Sequence, residues 1–246
     1  MKFGLIGYPL SHSFSQEYFT KKFQSLGLED FSYQLLPLVD INEVVPLLQQ
    51  DFIGFNVTIP YKEKIIPFLD ELDPVSEAIG AVNTVVKTDL GRWKGYNTDA
   101  SGFEESLLQW LGSSELPEKA LVLGTGGASK AVRYVLQRQG VEVSLVSRSF
   151  HAQYTYGSLD RNVIKNHLLI INTTPVGMYP HADQSPSIPY AALTPDHWLY
   201  DLIYNPGNTL FLARGEQAGA MTKNGLEMLR LQADHAWAIW KLYGKF

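Results

Sequence analysis

The sequence contains no cysteine. Disulfides, thiolate metal sites and thiol nucleophiles are therefore excluded by composition alone. Charge is also scarce. Only 18% of the 246 residues are Asp, Glu, Lys or Arg, and the acids prevail, for a net charge of −5. Such a chain lacks the broad cationic surface that nucleic acid or an anionic membrane would recruit, though a local anion pocket stays open. Long apolar runs are missing, and no window approaches the roughly 18 apolar residues of a membrane span. The start, "MKFGLIGYPLSHSFS", has a short apolar run broken by glycine and proline and no small-residue cleavage site, so no secretory signal is expected. Cytoplasmic is the expected location. The six histidines, His12, His151, His167, His181, His197 and His235, are scattered without i, i+4 pairing, so no metal site is expected.

What is present is apolar surface, at 45% of residues, enough for a substantial core in one large domain or two modest ones. Short β-rich runs alternate with helical patterns, the signature of an α/β fold. "KFGLIG" (2–7), "YQLLPL" (33–38) and "FIGFNV" (52–57) predict strands, with helices over 13–26, 41–50 and 61–69. "AVNTVVKT" (81–88) and "RWKGYN" (92–97), joined by "DLG", predict a β-hairpin. A helix follows over 99–112, its apolar residues at helical spacing and Gly112 at its end. The polar "SSELPEK" (113–119) reads as a passage to a second domain. There, 120–149 reads strand, glycine turn, helix, strand. "HLLIINTT" (167–174) and "HWLYDLIY" (197–204) add strands, and 209–219 and 226–244 add helices. The chain has no internal repeat and no low-complexity segment.

The 120–149 unit carries a general functional signal. In "GTGGAS", Gly124 ends a strand, Thr125 follows, and Gly126 and Gly127 open a helix that continues through Ala128. Ala131 is small where that helix packs on the sheet. Glycines here let backbone approach a pyrophosphate, whose charge is favoured at a helix N-terminus. A lone glycine-rich match is weak, but a complete strand–turn–helix–strand is its confirming context. About 20 residues on, an NAD site would carry Asp or Glu for the ribose hydroxyls. This chain has "VSRS", with Ser147, Arg148 and Ser149. A guanidinium in place of a carboxylate suits a 2′-phosphate, so the expected cofactor is NADP.

The first hundred residues gather hydroxyls, amides and charge in turns: "GYPLSHSFS", "NVTIPYKE", "GAVNT" and "GYNTDASG". Taken singly, each has a structural reading beside a functional one. Ser13 and Asp99 suit helix caps, Thr58 and Asn83 suit backbone partners, and Lys62 suits a solvated surface. Together with the glycine turn, the series resembles the shikimate dehydrogenase family. The family's G-N-P-x-x-H-S-x-S stands as "GYPLSHSFS", N-V-T-x-P-x-K as "NVTIPYK", and G-A-V-N-T unchanged at 80–84. N-T-D lies at 97–99, G-x-G-G-A-S at 124–129 and N-x-T-x-x-G-M as "NTTPVGM" (172–178). "DLIYNPGNTLFL" (201–212) and "NGLEML" with a later Gln232 complete the order over nearly the whole chain.

The resemblance implies two α/β domains about a cleft. A substrate domain, 1–103, would be completed by the C-terminal helix 226–246, and a Rossmann-like NADP domain would span 104–225. The implied reaction is the reversible NADPH-dependent reduction of 3-dehydroshikimate to shikimate, in the pathway to chorismate and the aromatic amino acids. The implied assembly is a monomer or homodimer, with no nucleic-acid or membrane partner. Ser13 and Ser15 would hold the substrate carboxylate. Thr58, Lys62, Asn83, Asp99 and Gln232 would address its hydroxyls, with Tyr204 closing the pocket. Lys62 and Asp99 would be the catalytic pair. Gly124, Thr125, Gly126, Gly127, Ala128, Ser147, Arg148, Leu202 and Gly225 would bind NADP. Neutral donors and acceptors suit such a ligand, because a site built for hydroxyls rejects analogues lacking them. The chain departs from the family at Tyr8, where Asn is usual, at Gln16, where Pro often stands, and at "VSRS" for N-R-T. The segment from Arg148 to Asn172 is short, predicting a trimmed helix or strand, and the family's usual second basic residue shortly after Arg148 is absent. The rival readings are a quinate/shikimate dehydrogenase using NAD, which Arg148 and the serine pair argue against, and a non-catalytic nucleotide-binding relative, against which Lys62 and Asp99 stand.

Overall fold

The computed structural model describes residues 1–10, 13–149, 152–244 and 246. The chain forms two compact units, Met1–Thr98 with Gln232–Phe246, and Asp99–Leu231. Each holds one six-stranded sheet.

In the first unit the chain runs β1 (Lys2–Gly7), α1 (Phe14–Ser25), β2 (Ser32–Pro37), α2 (Val44–Leu48) and β3 (Phe52–Val57). It continues through β4 (Glu71–Leu72), α3 (Pro74–Ile79), β5 (Thr84–Lys87) and β6 (Trp93–Tyr96). The strand order is β2-β1-β3-β5-β6-β4. β1 lies parallel to β2 and β3, while β5 is antiparallel to both β3 and β6. The period-2 rule separates two cores across this sheet. Phe3 and Leu5 join Phe19, Phe23, Trp237 and Trp240 on one side, whereas Ile6 joins Phe55, Val57 and Trp93 on the other. Trp240 is fully buried and donates Nε1–H to Val85 O at 3.0 Å, so its one polar atom is satisfied.

The hairpin at β5–β6 matches the sequence expectation, and α1 starts one residue after Ser13, its N-cap. The helix expected over 61–69 shortens to a turn leading into a 3₁₀ segment, Ile66–Phe68. Pro67 has no N–H to give Glu63, and the Lys62 carbonyl accepts from Val82 N at 2.7 Å instead of from a helical neighbour. The helix expected over 41–50 is likewise reduced to a 3₁₀ turn, Ile41–Glu43, capped by Asp40, and the short α2.

In the second unit, α4 (Thr98–Leu111), whose first residue belongs to the first unit, leads to β7 (Lys119–Leu123), α5 (Gly127–Arg138), β8 (Glu142–Ser147) and β9 (Tyr154–Thr155). Then come α6 (Arg161–Asn166), β10 (Leu169–Asn172), β11 (Trp198–Asp201), α7 (Leu210–Gln217) and β12 (Met221–Lys223). α8 (Leu226–Gly244) carries the chain back. All strands are parallel, in the order β12-β11-β10-β7-β8-β9. Their middle strands are near-continuous apolar runs buried on both faces, as a doubly covered parallel sheet demands. The order reverses between β7 and β10, the switch point at which such sheets bind ligands. The short segment after Arg148 keeps a two-residue β9 and a six-residue α6.

Candidate functional site

In the first unit, the expected substrate residues sit at strand and helix ends. Ser13 accepts the Gln16 N–H at 3.4 Å, so the cap reading is realised. A hydroxyl retains further donor and acceptor capacity, so the cap does not use it up. Ser15 lies in the first turn of α1. Ser11 and His12 of the same motif lie outside the described residues.

After β3 the turn is pinned from several directions. Thr58 N donates to Ile6 O at 2.8 Å, Tyr61 N to Thr58 O at 2.9 Å, and Val57 N to Asn83 O at 2.8 Å. Lys62 therefore emerges half-buried from a backbone fixed against Val82, the neighbour of Asn83. Asn83 is buried and contacts the first residue of α4. Its Oδ1 accepts the Thr98 N–H at 2.7 Å, and its Nδ2 donates to Thr98 Oγ1 at 3.0 Å and to Gln232 Oε1 at 3.4 Å. α4 thus begins at Thr98, and Asp99 is a buried carboxylate inside its first turn, where the helix dipole favours negative charge. Tyr33 and Asn56, which the sequence reading passed over, complete the cluster. Tyr33 Oη donates to Asn56 Oδ1 at 2.8 Å, and Asn56 Nδ2 to Asn83 O at 3.3 Å and Thr84 Oγ1 at 3.2 Å. Asn56 stood in the quoted motif "NVTIPYK". Its buried polarity within a strand was the signal available.

In the second unit the site is made of backbone. Gly124 has φ +111°, which side chains avoid, and an added Cβ would lie 2.7 Å from Thr173 Oγ1. Thr173 is held there by donating its hydroxyl to Leu123 O at 2.6 Å, and Ser129 Oγ ties Gly124 O at 2.7 Å. Gly126 is the N-cap of α5 and supplies no side-chain oxygen to the helix N–H groups. That arrangement leaves the dipole's positive end for an anion, and it fits a pyrophosphate. Gly127 and Ala128 continue this turn into the helix, with Thr125 exposed before it.

Ser147 ends β8 and forms a tight turn, with Ser149 N donating to Ser147 Oγ at 3.1 Å. Arg148 is exposed at its tip, and its charge counters the burial that raises the Tyr156 hydroxyl pKa. The set of one guanidinium and two hydroxyls fits a ribose phosphate. At the end of β11, Leu202 N donates to Asn172 O at 3.0 Å and Gly225 N to Ile203 O at 3.0 Å. A methyl group at Gly225 would be driven into the Leu202 carbonyl, so glycine is required there. Tyr204, 37% exposed, has its hydroxyl pKa raised by partial burial. Asp201, also unremarked in the sequence, organises these loops. It is fully buried and accepts from Asn172 Nδ2 at 3.0 Å, Ile203 N at 3.1 Å and Thr209 Oγ1 at 2.6 Å. Burial pushes its carboxyl up to about 6 despite those donors.

Among the described residues no group of three or more His, Cys, Asp or Glu side chains could hold a metal ion, and no helix is long and apolar enough to cross a membrane. A glycine turn at the switch point of the second unit's parallel sheet, and a cluster of buried neutral hydrogen-bonding groups in the first unit, are the parts a dinucleotide-dependent oxidoreductase needs. Comparison with known proteins narrows the class. Residues 5–85 match the profile of the shikimate dehydrogenase substrate binding domain. The shikimate dehydrogenase (NADP⁺) of Halothermothrix orenii is 41% identical, over 96% of this chain and 89% of its own. That of Carboxydothermus hydrogenoformans is 40% identical, over 96% and 90%. The crystal structure of the Thermus thermophilus shikimate 5-dehydrogenase in complex with NADP(H) and shikimate superposes with a TM-score of 0.82. It is 33% identical and covers 98% of this chain and 93% of that one. The chain belongs to the shikimate dehydrogenase family.

Proposed function

We infer that the chain is an NADP-dependent shikimate dehydrogenase, interconverting 3-dehydroshikimate and shikimate on the route to chorismate. The observation that carries this reading is the family match over nearly the whole chain, with its motif residues standing in two folded half-sites. We assign the substrate-binding role to residues 1–103 with 226–246, and the NADP-binding role to 104–225. A cytoplasmic setting suits an enzyme that draws on the NADPH pool, and a monomer or homodimer is proposed.

Bound NADPH supplies the hydride. The protein's task is to orient a ring with hydroxyls and a carboxylate and to manage one proton. Lys62 gives that proton to the ketone oxygen as its negative charge develops, and takes it back in the reverse direction. Asp99 hydrogen-bonds the reacting hydroxyl and directs the lysine ammonium. Ser13 and Ser15 hold the carboxylate, Thr58, Asn83 and Gln232 the hydroxyls, and Tyr204 covers the ring. Leu202 and Gly225 offer backbone to the nicotinamide end. The α5 turn from Gly124 to Ala128 takes the pyrophosphate, and Ser147 and Arg148 take the 2′-phosphate.

The test is direct. Purified protein is given shikimate or quinate, each with NADP or NAD, and nicotinamide reduction is followed by absorbance. Turnover confined largely to shikimate with NADP is expected. Comparable use of quinate with NAD would establish the broader dehydrogenase instead, and no turnover a binding protein.

A further inference from the structure

In the second unit three segments converge on one carboxylate. Asp201, the last residue of β11, is fully buried. Its Oδ1 accepts from Asn172 Nδ2, at the end of β10, and from Ile203 N, while its Oδ2 accepts from Thr209 Oγ1, the N-cap of α7. Each partner governs further backbone. Asn172 Oδ1 accepts from Thr174 N at 3.0 Å and from Thr174 Oγ1 at 2.7 Å, so the residue that donates to Asp201 also shapes the turn after β10. Asn172 O accepts from Leu202 N, and Ile203 O accepts from Gly225 N. The loops also meet away from the carboxylate. Tyr179 N donates to Asn205 O at 3.2 Å, and a Cβ added at Gly177 would lie 3.9 Å from both Ile203 Cδ1 and Thr209 Cβ. A buried carboxylate is costly unless its oxygens are bonded, and here both are. Its removal would leave three buried donors without this acceptor and free the loops that carry them to rearrange.

We propose that Asp201 is a positioning residue for the nicotinamide end of the cofactor. As the acceptor shared by three segments, it fixes the backbone of Leu202, Ile203 and Gly225 against which the ring is set for hydride transfer. In this assignment it touches neither cofactor nor substrate and acts through Ile203, Asn172 and Thr209. The inference rests on the reading of Leu202 and Gly225 as backbone contacts of the nicotinamide.

The test measures Kd by calorimetry for NADP and for the same molecule without its nicotinamide, 2′-phospho-ADP-ribose, in wild type, Asp201→Ala and Asp201→Asn, with kcat alongside. Binding of the fragment certifies a folded nucleotide site in each. Asp201→Ala is expected to weaken NADP about tenfold while the fragment changes less than about twofold, and to lower kcat about tenfold or more, since a misplaced reactant costs rate as well as affinity. Asp201→Asn keeps an oxygen for Ile203 N and Asn172 Nδ2, and is expected to stay within about threefold of wild type in Kd and kcat. Equal weakening of the two ligands in Asp201→Ala overturns the proposal, because the residue then supports the whole nucleotide site. An Asp201→Asn variant as impaired as Asp201→Ala overturns it too, because charge and not the shared acceptor is then responsible. If wild type prefers NADP to the fragment and Asp201→Ala keeps that ratio, the positioning role fails while the nicotinamide reading survives. If wild type binds the two alike, the nicotinamide reading falls and the proposal with it. Should Asp201→Ala not fold, Asn172→Ala withdraws one of the three donors and is judged by the same ratio.

Discussion

The two units put polar groups at the ends of strands by opposite means. The first builds with side chains drawn from distant segments: Tyr33, Asn56, Asn83, Thr98 and Gln232 meet as one buried, mutually bonded cluster. The second builds with backbone: a glycine at φ +111°, a helix N-terminus without a side-chain cap, and loop amides held by Asp201. A side-chain site is selective because every unmatched group is left unpaired when the wrong ligand enters. A backbone site recognises what all dinucleotides share, and needs an added side chain, the role proposed for Arg148, for anything finer.

That contrast can be broken at four places. The largest effect is expected in the side-chain half, where Lys62→Ala should lower kcat by roughly 10²–10⁴-fold, the usual contribution of a positioned proton donor. KM for shikimate should move little, because Asn83, Asp99 and the serines remain. Near-normal kcat with a greatly raised KM would make Lys62 a binding residue. The second test reads stability. The Asp201 carboxyl is raised from 3.8 to about 6 in the folded chain, so the folded state holds this proton more tightly than the unfolded one. Its contribution is full below the unfolded value and is lost as pH rises through about 6. Denaturant unfolding of wild type minus Asp201→Asn should therefore fall by roughly 3 kcal/mol between acid and neutral pH. A flat difference would show that Asp201 titrates normally.

Third, Arg148→Ala should narrow the preference for NADP over NAD through cofactor KM, by about 1.5–3 kcal/mol at most for a charge-assisted contact. A variant that discriminates as well as wild type leaves Arg148 a surface residue. The smallest effect is expected at Thr125, exposed within the glycine turn. If backbone does the binding there, Thr125→Ala should change KM for NADP less than about twofold, since surface side chains usually matter within about 0.5 kcal/mol. A large rise would show a side chain working where the backbone was assigned the task.

The same contrast explains what could be read from the sequence. The nucleotide turn was legible because glycine is demanded by conformation at fixed spacing, and α5 and β8 follow it where expected. The long amphipathic helices α1, α4 and α8 fell within a residue of their expected bounds. β4, β9 and β12 did not, since strands of two or three residues are made by pairing rather than by pattern. α3 was missed although Asp73 and Pro74 write its start, with Asp73 accepting from Val75 N and Ser76 N. In the substrate half, motif resemblance brought Asn83 and Gln232 forward, but nothing local distinguishes Tyr33 from any other strand tyrosine. Its partner lies 23 residues away, and only the sheet order brings them together.

The first unit is assembled from two stretches of chain separated by the whole of the second. Synthesis runs from the N-terminus, so all of Asp99–Leu231 emerges before Gln232–Phe246 exists. Trp237 and Trp240, which bury against Phe3 and Phe19, and Gln232, which bonds Asn83, emerge after that whole unit. The second unit of a nascent chain is therefore synthesised in full while the aromatic face of β1 is still without its C-terminal partners. Stopping translation after Leu231 should yield a protein that holds NADP without recognising shikimate. The competence to turn over substrate thus depends on a segment synthesised only after the whole of the second unit, so it comes later than the capacity to hold the cofactor.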